Sequence, residues 1–186
     1  MDAAVALAEE GGFDGVRLRD VAERSGVALG TLYKYFRSKE DILLYALNEE
    51  TERLESVVAE RPPRGATAVD RVTDFFGRAT RGLVRRPQLA RAVLRSLASG
   101  DHATSVQAAG FHLRSQRMII AALRGETPDF QRPLAEPYGS DRERRIAVLL
   151  SHVWFASLVG WSGGLHPAKT VTERMRDAIE LLLGGD

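Results

Sequence analysis

The chain contains no cysteine, which excludes a disulfide framework, a thiolate metal site and thiol redox chemistry, and fits a reducing cytoplasm. Histidine is scarce: His102, His112, His152 and His166 show neither an i, i+4 pairing nor a Glu-x-x-His arrangement, so a metal or di-iron centre has no ligand set. Long apolar runs are missing as well, with no uninterrupted stretch of about 18 apolar residues. Met1 to Glu10 carries acids where a signal peptide would carry lysine or arginine, so neither secretion nor a membrane partner is expected. A strong charge imbalance is also lacking: the net charge is +1, which taken whole argues against a nucleic-acid partner. No strand, internal repeat or low-complexity tract stands out. What remains is an ordinary globular composition, 186 residues with 44% hydrophobic content, enough for one good core or a small domain fused to a larger one.

The charge is unevenly spread. Between Arg17 and Lys39 lie six basic residues (Arg17, Arg19, Arg24, Lys34, Arg37, Lys39) and two acids (Asp20, Glu23), a local charge of +4 that leaves −3 for everything else. One short stretch therefore holds the positive field. The same stretch is helical by periodicity. A first helix over residues 2 to 10 closes at Gly11-Gly12, and Leu18, Val21 and Ala22 mark a second that ends at Gly26. Leu32, Tyr35 and Phe36 mark a third over Ala28 to Phe36. Ser38 reads as an N-cap with an acid, Asp41, at the third helical position, opening a long fourth helix to about Glu60. Arg61-Pro62-Pro63-Arg64-Gly65 is a breaker. Five more helices are expected, over about 66–85, 88–99, 101–124, 141–162 and 168–183, with a loop from Gly125 to Ser140 long enough to be mobile or a lid. The expected fold is thus all-α, with about nine helices: a three-helix N-terminal domain (residues 1–47) and a C-terminal helical bundle (48–186).

Two short helices joined by Ser25-Gly26-Val27 fit a helix-turn-helix, in which Gly26 takes the left-handed conformation, Val27 plugs the space between the helices and the second helix enters the major groove. Periodicity alone equally fits an αα-hairpin that buries nothing but itself. The residues themselves go further. Gly12-Phe13-Asp14-Gly15 followed by Leu18 through Glu40 (LRDVAERSGVALGTLYKYFRSKE) closely resembles the N-terminal signature of the TetR family of transcriptional repressors. Val153-Trp154-Phe155 with Trp161, and Ala178 to Leu183, are similar to a branch of actinobacterial repressors of sterol and lipid catabolism.

The resemblance implies a homodimeric regulator without cofactor or metal that binds operator DNA and releases it to a small-molecule effector. It makes Ala28 to Phe36 the recognition helix, puts Thr31, Tyr33, Lys34 and Tyr35 against phosphates or base edges, Arg19 in the groove and Lys39 on a phosphate, and Gly30 where the helix must approach closely. The chemistry agrees: hydroxyls donate to phosphate oxygens, arginine reads guanine, and a helix N-terminus with Lys39 attracts an anion. Tyr33 and Tyr35 could instead be half-buried scaffold, and Arg17 and Arg24 read as solvated or paired. Arg17 and Ala28 stand where relatives carry Ser or Thr caps, so those helix starts are weaker. The chain also begins inside what is normally the first helix, without the basic arm many relatives have.

Within the C-terminal part, Ile146 to Trp161 is apolar at 12 of 16 positions, too many for a helix with one wet face. The resemblance makes it pack on its own domain and on a symmetry mate, with Leu150, Ile179 and Leu182 in the dimer interface, although a different partner protein could cover the same surface. Phe75, Phe76, Phe111, Met118, Trp154, Leu158 and Trp161 supply more aromatic and flexible surface than a bundle needs. They read either as core or as the wall of an apolar pocket for a large hydrophobic effector such as a lipid, sterol or acyl-CoA, with arginines (Arg78, Arg81, Arg91, Arg95, Arg114, Arg117) available to an anionic head group. An enzyme reading finds little support. Gly163 to Thr170 nearly spells a phosphate-binding loop, but Ala168 replaces its second glycine and no strand precedes it.

Overall fold

The computed structural model describes residues 1–99, 105–130 and 132–184; His102 and the expected start of the seventh helix at 101 lie outside them. Among the described residues there are nine α-helices and no strand: α1 (Asp2–Gly15), α2 (Leu18–Ser25), α3 (Leu29–Tyr35), α4 (Lys39–Glu60), α5 (Ala68–Val84), α6 (Pro87–Ala98), α7 (Ser105–Arg124), α8 (Asp141–Ser162) and α9 (Ala168–Leu183). The all-α expectation holds, and apart from the start of the seventh helix, which lies outside the described residues, helix ends fall within about two residues of those anticipated except in α1. There the chain does not stop at Gly11-Gly12. It kinks at Gly12 (φ 61°) and adds a further turn to Gly15, because glycine tolerates the kink without ending the helical run.

The helices form two compact units. The N-terminal unit comprises Met1–Glu50 and Leu83–Phe111, more of the chain than its first 47 residues. The addition is α6, opened by Pro87 in its first turn. Its buried Leu89, Ala92 and Val93 join Ala4 and Ala8 of α1, Leu18, Val21 and Ala22 of α2, Leu32 of α3 and Ile42, Leu43 and Leu47 of α4 in one core. Arg86 ties that packing at its edge, donating to Glu9 and, at 2.9 Å, to Glu50.

The C-terminal unit comprises Thr51–Gly82 and His112–Asp186. Phe75 and Phe76 of α5, Met118 to Ala122 of α7, Leu150, Trp154, Leu158 and Trp161 of α8, and Val171, Met175 and Ile179 of α9 are its buried apolar residues. By length and composition α8 would suffice to cross a membrane. Part of its apolar character is the buried stripe Ile146, Leu150, Trp154, Leu158 and Trp161. The helix starts with a full capping box: Ser140 Oγ accepts the Glu143 N–H at 3.3 Å and the Glu143 carboxylate accepts the Ser140 N–H at 2.6 Å. Glu143 also pairs with Arg124 at the end of α7 at 2.7 and 2.8 Å. The loop between α7 and α8 is fastened rather than free, since buried Arg117 donates to the carbonyls of Asp129, Arg132 and Pro133.

Candidate nucleic-acid interface

The N-terminal unit presents a short helix braced from behind. Leu18, Val21 and Ala22 bury one face of α2. The helix ends at Gly26 (φ 69°), where the Gly26 N–H donates to Glu23 O at 3.3 Å and the Val27 N–H to Ala22 O at 3.2 Å. That paired closure reverses the chain within two residues and needs a residue tolerant of positive φ. Val27 does not plug the interhelical space as the sequence suggested. It is 41% exposed, and the core between the two helices is made by Val21, Ala22 and Leu32 instead. As the sequence indicated, neither Arg17 nor Ala28 provides a side-chain cap.

On α3 only Leu32 is buried, with Leu29 half-buried. Gly30, Thr31, Tyr33, Lys34 and Tyr35 all face water, as does Arg19 on α2. Tyr33 is 55% and Tyr35 74% exposed, so neither is core scaffold, and two phenol rings left in solvent beside a lysine form a polar-aromatic surface suited to a partner. Seven residues of helix are about 10 Å long, a length that fits the major groove of about 12 Å width. Arg17, Arg19, Lys34 and Arg37 are exposed around this helix. Arg24 is committed elsewhere, to a bidentate pair with Glu10 at 2.7 Å for both contacts. The hydrogen-bonded pair lowers the Glu10 pKa and raises that of Arg24.

Lys39 opens α4, where Ser38 Oγ accepts the Asp41 N–H at 3.2 Å and Asp41 accepts the Arg37 N–H at 3.1 Å. Its ammonium is already engaged: Nζ lies 3.6 Å from an Asp14 carboxylate oxygen, 3.5 Å from Phe13 O and 3.9 Å from the centre of the Phe13 ring. Sequence reasoning placed Lys39 on a phosphate but missed this partner, because Asp14 lies 25 residues earlier in the chain and only the fold joins them.

Six of the seven residues expected to line a ligand pocket, Phe75, Phe76, Met118, Trp154, Leu158 and Trp161, are buried in the C-terminal unit. Phe75, Phe76 and Trp154 form an edge-to-face chain with ring centres 5.1 and 5.6 Å apart. The Trp154 indole N–H donates to Thr80 Oγ1 at 2.9 Å, a buried bond not foreseen from sequence. Phe111 belongs to the N-terminal unit and packs against its core. Several of the arginines offered to an anionic head group are engaged within the chain. Arg78 pairs with Asp74 at 2.5 Å, Arg95 with Asp14 at 3.2 Å, and Arg114 with Glu52 and Glu55 at 2.8 and 2.6 Å. Burial raises the Glu55 pKa, outweighing the lowering by Arg114. The interface residues need correction: Leu150 and Ile179 are fully buried within the single chain, their stripes having turned inward, and only Leu182 keeps partial exposure. The exposed strip of α8 is instead Leu149, His152, Ala156 and Val159. No group of three or more metal-ligating side chains occurs among the described residues.

Residues 1–46 match the family described as "Bacterial regulatory proteins, tetR family", and residues 65–182 match "Tetracyclin repressor-like, C-terminal domain". The chain belongs to the TetR family. It is therefore a DNA-binding transcriptional regulator by family rather than a member of an enzyme family. It is 32% identical over 184 residues, 99% of this chain and 81% of the relative, to the HTH-type transcriptional repressor KstR of Rhodococcus jostii. Among solved TetR-type structures it is similar to a TetR transcriptional regulator from Rhodococcus sp. RHA1, with a TM-score of 0.84 at 26% identity, covering 99% of this chain and 93% of that one. Thermus thermophilus FadR, a TetR-family repressor solved with lauroyl-CoA, shares the fold with a TM-score of 0.73 at 19% identity and the same coverages.

Proposed function

We propose that this TetR-family chain is a cytoplasmic homodimeric repressor that holds operator DNA through α3 and lets go when a large hydrophobic effector, a sterol-like or fatty acyl-CoA molecule, enters the C-terminal unit. The observation that carries the DNA assignment is the solvent face of α3, where Gly30, Thr31, Tyr33, Lys34 and Tyr35 stand exposed together. Thr31 and Tyr35 donate to phosphates, Lys34 and Tyr33 reach phosphate or base edges, Gly30 permits close approach, and Arg19 reads a base. The C-terminal unit holds the effector against Phe75, Phe76, Met118, Trp154, Leu158 and Trp161. Two copies join through the exposed apolar strip of α8 with Leu149 and Val159, together with Leu182 on α9, and read a two-fold symmetric operator. Similarity to KstR repressors and a fold shared with acyl-CoA-bound FadR support the effector class. A hundredfold release needs the effector to favour the released state by only about 3 kcal/mol.

The test is a gel shift on DNA flanking the gene, repeated with fatty acyl-CoA thioesters and sterols, alongside emission from Trp154 and Trp161, the two tryptophans of the chain. Retardation abolished by one of these ligands with a matching emission change is expected. Lipids that release DNA yet leave the emission unchanged would place the effector elsewhere.

A further inference from the structure

Two cations lie against the Phe13 ring in the N-terminal unit. Lys39 Nζ of α4 lies 3.9 Å and the Arg95 guanidinium carbon of α6 4.2 Å from its centre. Both cations also reach one carboxylate: Asp14 Oδ1 is 3.6 Å from Lys39 Nζ, and Asp14 Oδ2 is 3.2 Å from Arg95 Nη1. Two positive charges face a single negative one, so the cluster carries a net +1 and keeps an unsatisfied demand for an anion. The carboxylate that meets it is 77% exposed and hence weakly held by screened pairing. A phosphodiester offers two non-bridging oxygens at nearly the spacing of a carboxylate's two, so the two donors that divide Asp14 between them can also divide one phosphate.

We propose that Arg95 is a second contact to the DNA backbone, acting with Lys39 on the same phosphate, and that Asp14 is the internal anion which that phosphate displaces. The inference rests on the DNA-binding reading and on the assignment of Lys39. It extends the DNA-contacting surface beyond the first four helices, onto α6, and names Asp14 as a brake on non-specific affinity.

The measurement is the salt dependence of binding to a 30-base-pair duplex of arbitrary sequence, which counts phosphate contacts without needing the operator. Arg95→Gln is expected to flatten the slope of log affinity against log salt by about 0.9 per bound chain, which shrinks the affinity ratio between 50 and 200 mM salt about three- to four-fold per chain. Arg95→Lys should retain most of the slope. Asp14→Asn should bind the duplex more tightly than the natural chain. The deciding comparison is Arg95→Gln made in the Asp14→Asn background, where no Asp14 pair remains for Arg95 to lose. A persisting drop in slope supports the phosphate contact, whereas no drop assigns Arg95 to packing alone and overturns the proposal. If that double variant is unfolded by circular dichroism, equal slopes for Arg95→Gln and the natural chain overturn it instead. Lys39→Ala separates the two levels: an unchanged slope there refutes the underlying assignment of Lys39, while a drop for Lys39→Ala with none for Arg95→Gln refutes only the inference.

Discussion

Replacing Glu143 by glutamine isolates one electrostatic contribution to the C-terminal unit. Glutamine retains a side-chain oxygen able to accept the Ser140 N–H, so the capping box survives, while the charged contact to Arg124 at 2.7 and 2.8 Å is lost. The Arg124 hydrogen bond, reinforced by those from Ser140, holds the Glu143 carboxyl well below its ordinary value of 4.5, at about 2. Taken at face value that shift corresponds to about 3 kcal/mol. Arg124 is 35% exposed, however, and solvent screening reduces the contribution to about 1 kcal/mol. A depressed pKa stabilises the fold above the unfolded value, and that stability is lost as pH falls through the folded one. The natural chain should therefore exceed Glu143→Gln by about 1 kcal/mol at pH 7, or about 2–4 °C in melting temperature. The gap should narrow below about pH 4.5 and close near pH 2. Urea titrations followed by tryptophan emission suit the purpose, since both tryptophans lie in this unit. A gap of the same size at pH 7 and pH 2.5 would refute the assignment to an ionised carboxylate.

Thr80→Val should destabilise the C-terminal unit by about 1–3 kcal/mol by leaving the buried Trp154 indole N–H without its acceptor, and most of that loss should disappear in a Trp154→Phe background, which urea titrations monitored by circular dichroism would check. Gly160→Ala should lower the melting temperature, because an added Cβ would sit 2.6 Å from His166 Nε2 at the α8–α9 turn; an unchanged melting curve would show that the imidazole simply swings away. Leu149→Glu on the exposed strip of α8 should yield monomers in sedimentation without changing the helical circular-dichroism signal, whereas a dimer of unaltered strength would move the interface off this strip.

Much of the fold was legible because local signals and tertiary packing agree. Apolar spacing at Leu18, Val21 and Ala22, the left-handed Gly26 and the Ser38 cap each act over a few residues, and each marks a feature present in the structure. Gly12 misled because glycine permits both a stop and a kink, and the choice belongs to what packs around it. Leu150 and Ile179 misled for a related reason: periodicity shows that a stripe is apolar, not whether its own chain or a second copy covers it. Two long-range features left no trace in sequence spacing. Asp14 meets Lys39 and Arg95 across 25 and 81 residues, and Thr80 meets Trp154 across 74. Such pairs combine ordinary residue types at unremarkable positions.

The place of α6 in the N-terminal core bears on how this protein can be dissected. The stretch that carries the family signature ends at residue 46, but Leu89, Ala92 and Val93 of α6 complete the hydrophobic interior beneath it. A fragment cut after the signature would expose the apolar faces of Ala4, Ala8 and their neighbours to water, and a chimera that exchanged those residues for another reader would set a foreign α1 against an unmatched α6. The segment by which the DNA reader is recognised in sequence is thus shorter than the segment that must travel with it. A transplantable reader has to carry α6 along, by way of a chain that leaves the unit at Thr51 and re-enters it at Leu83.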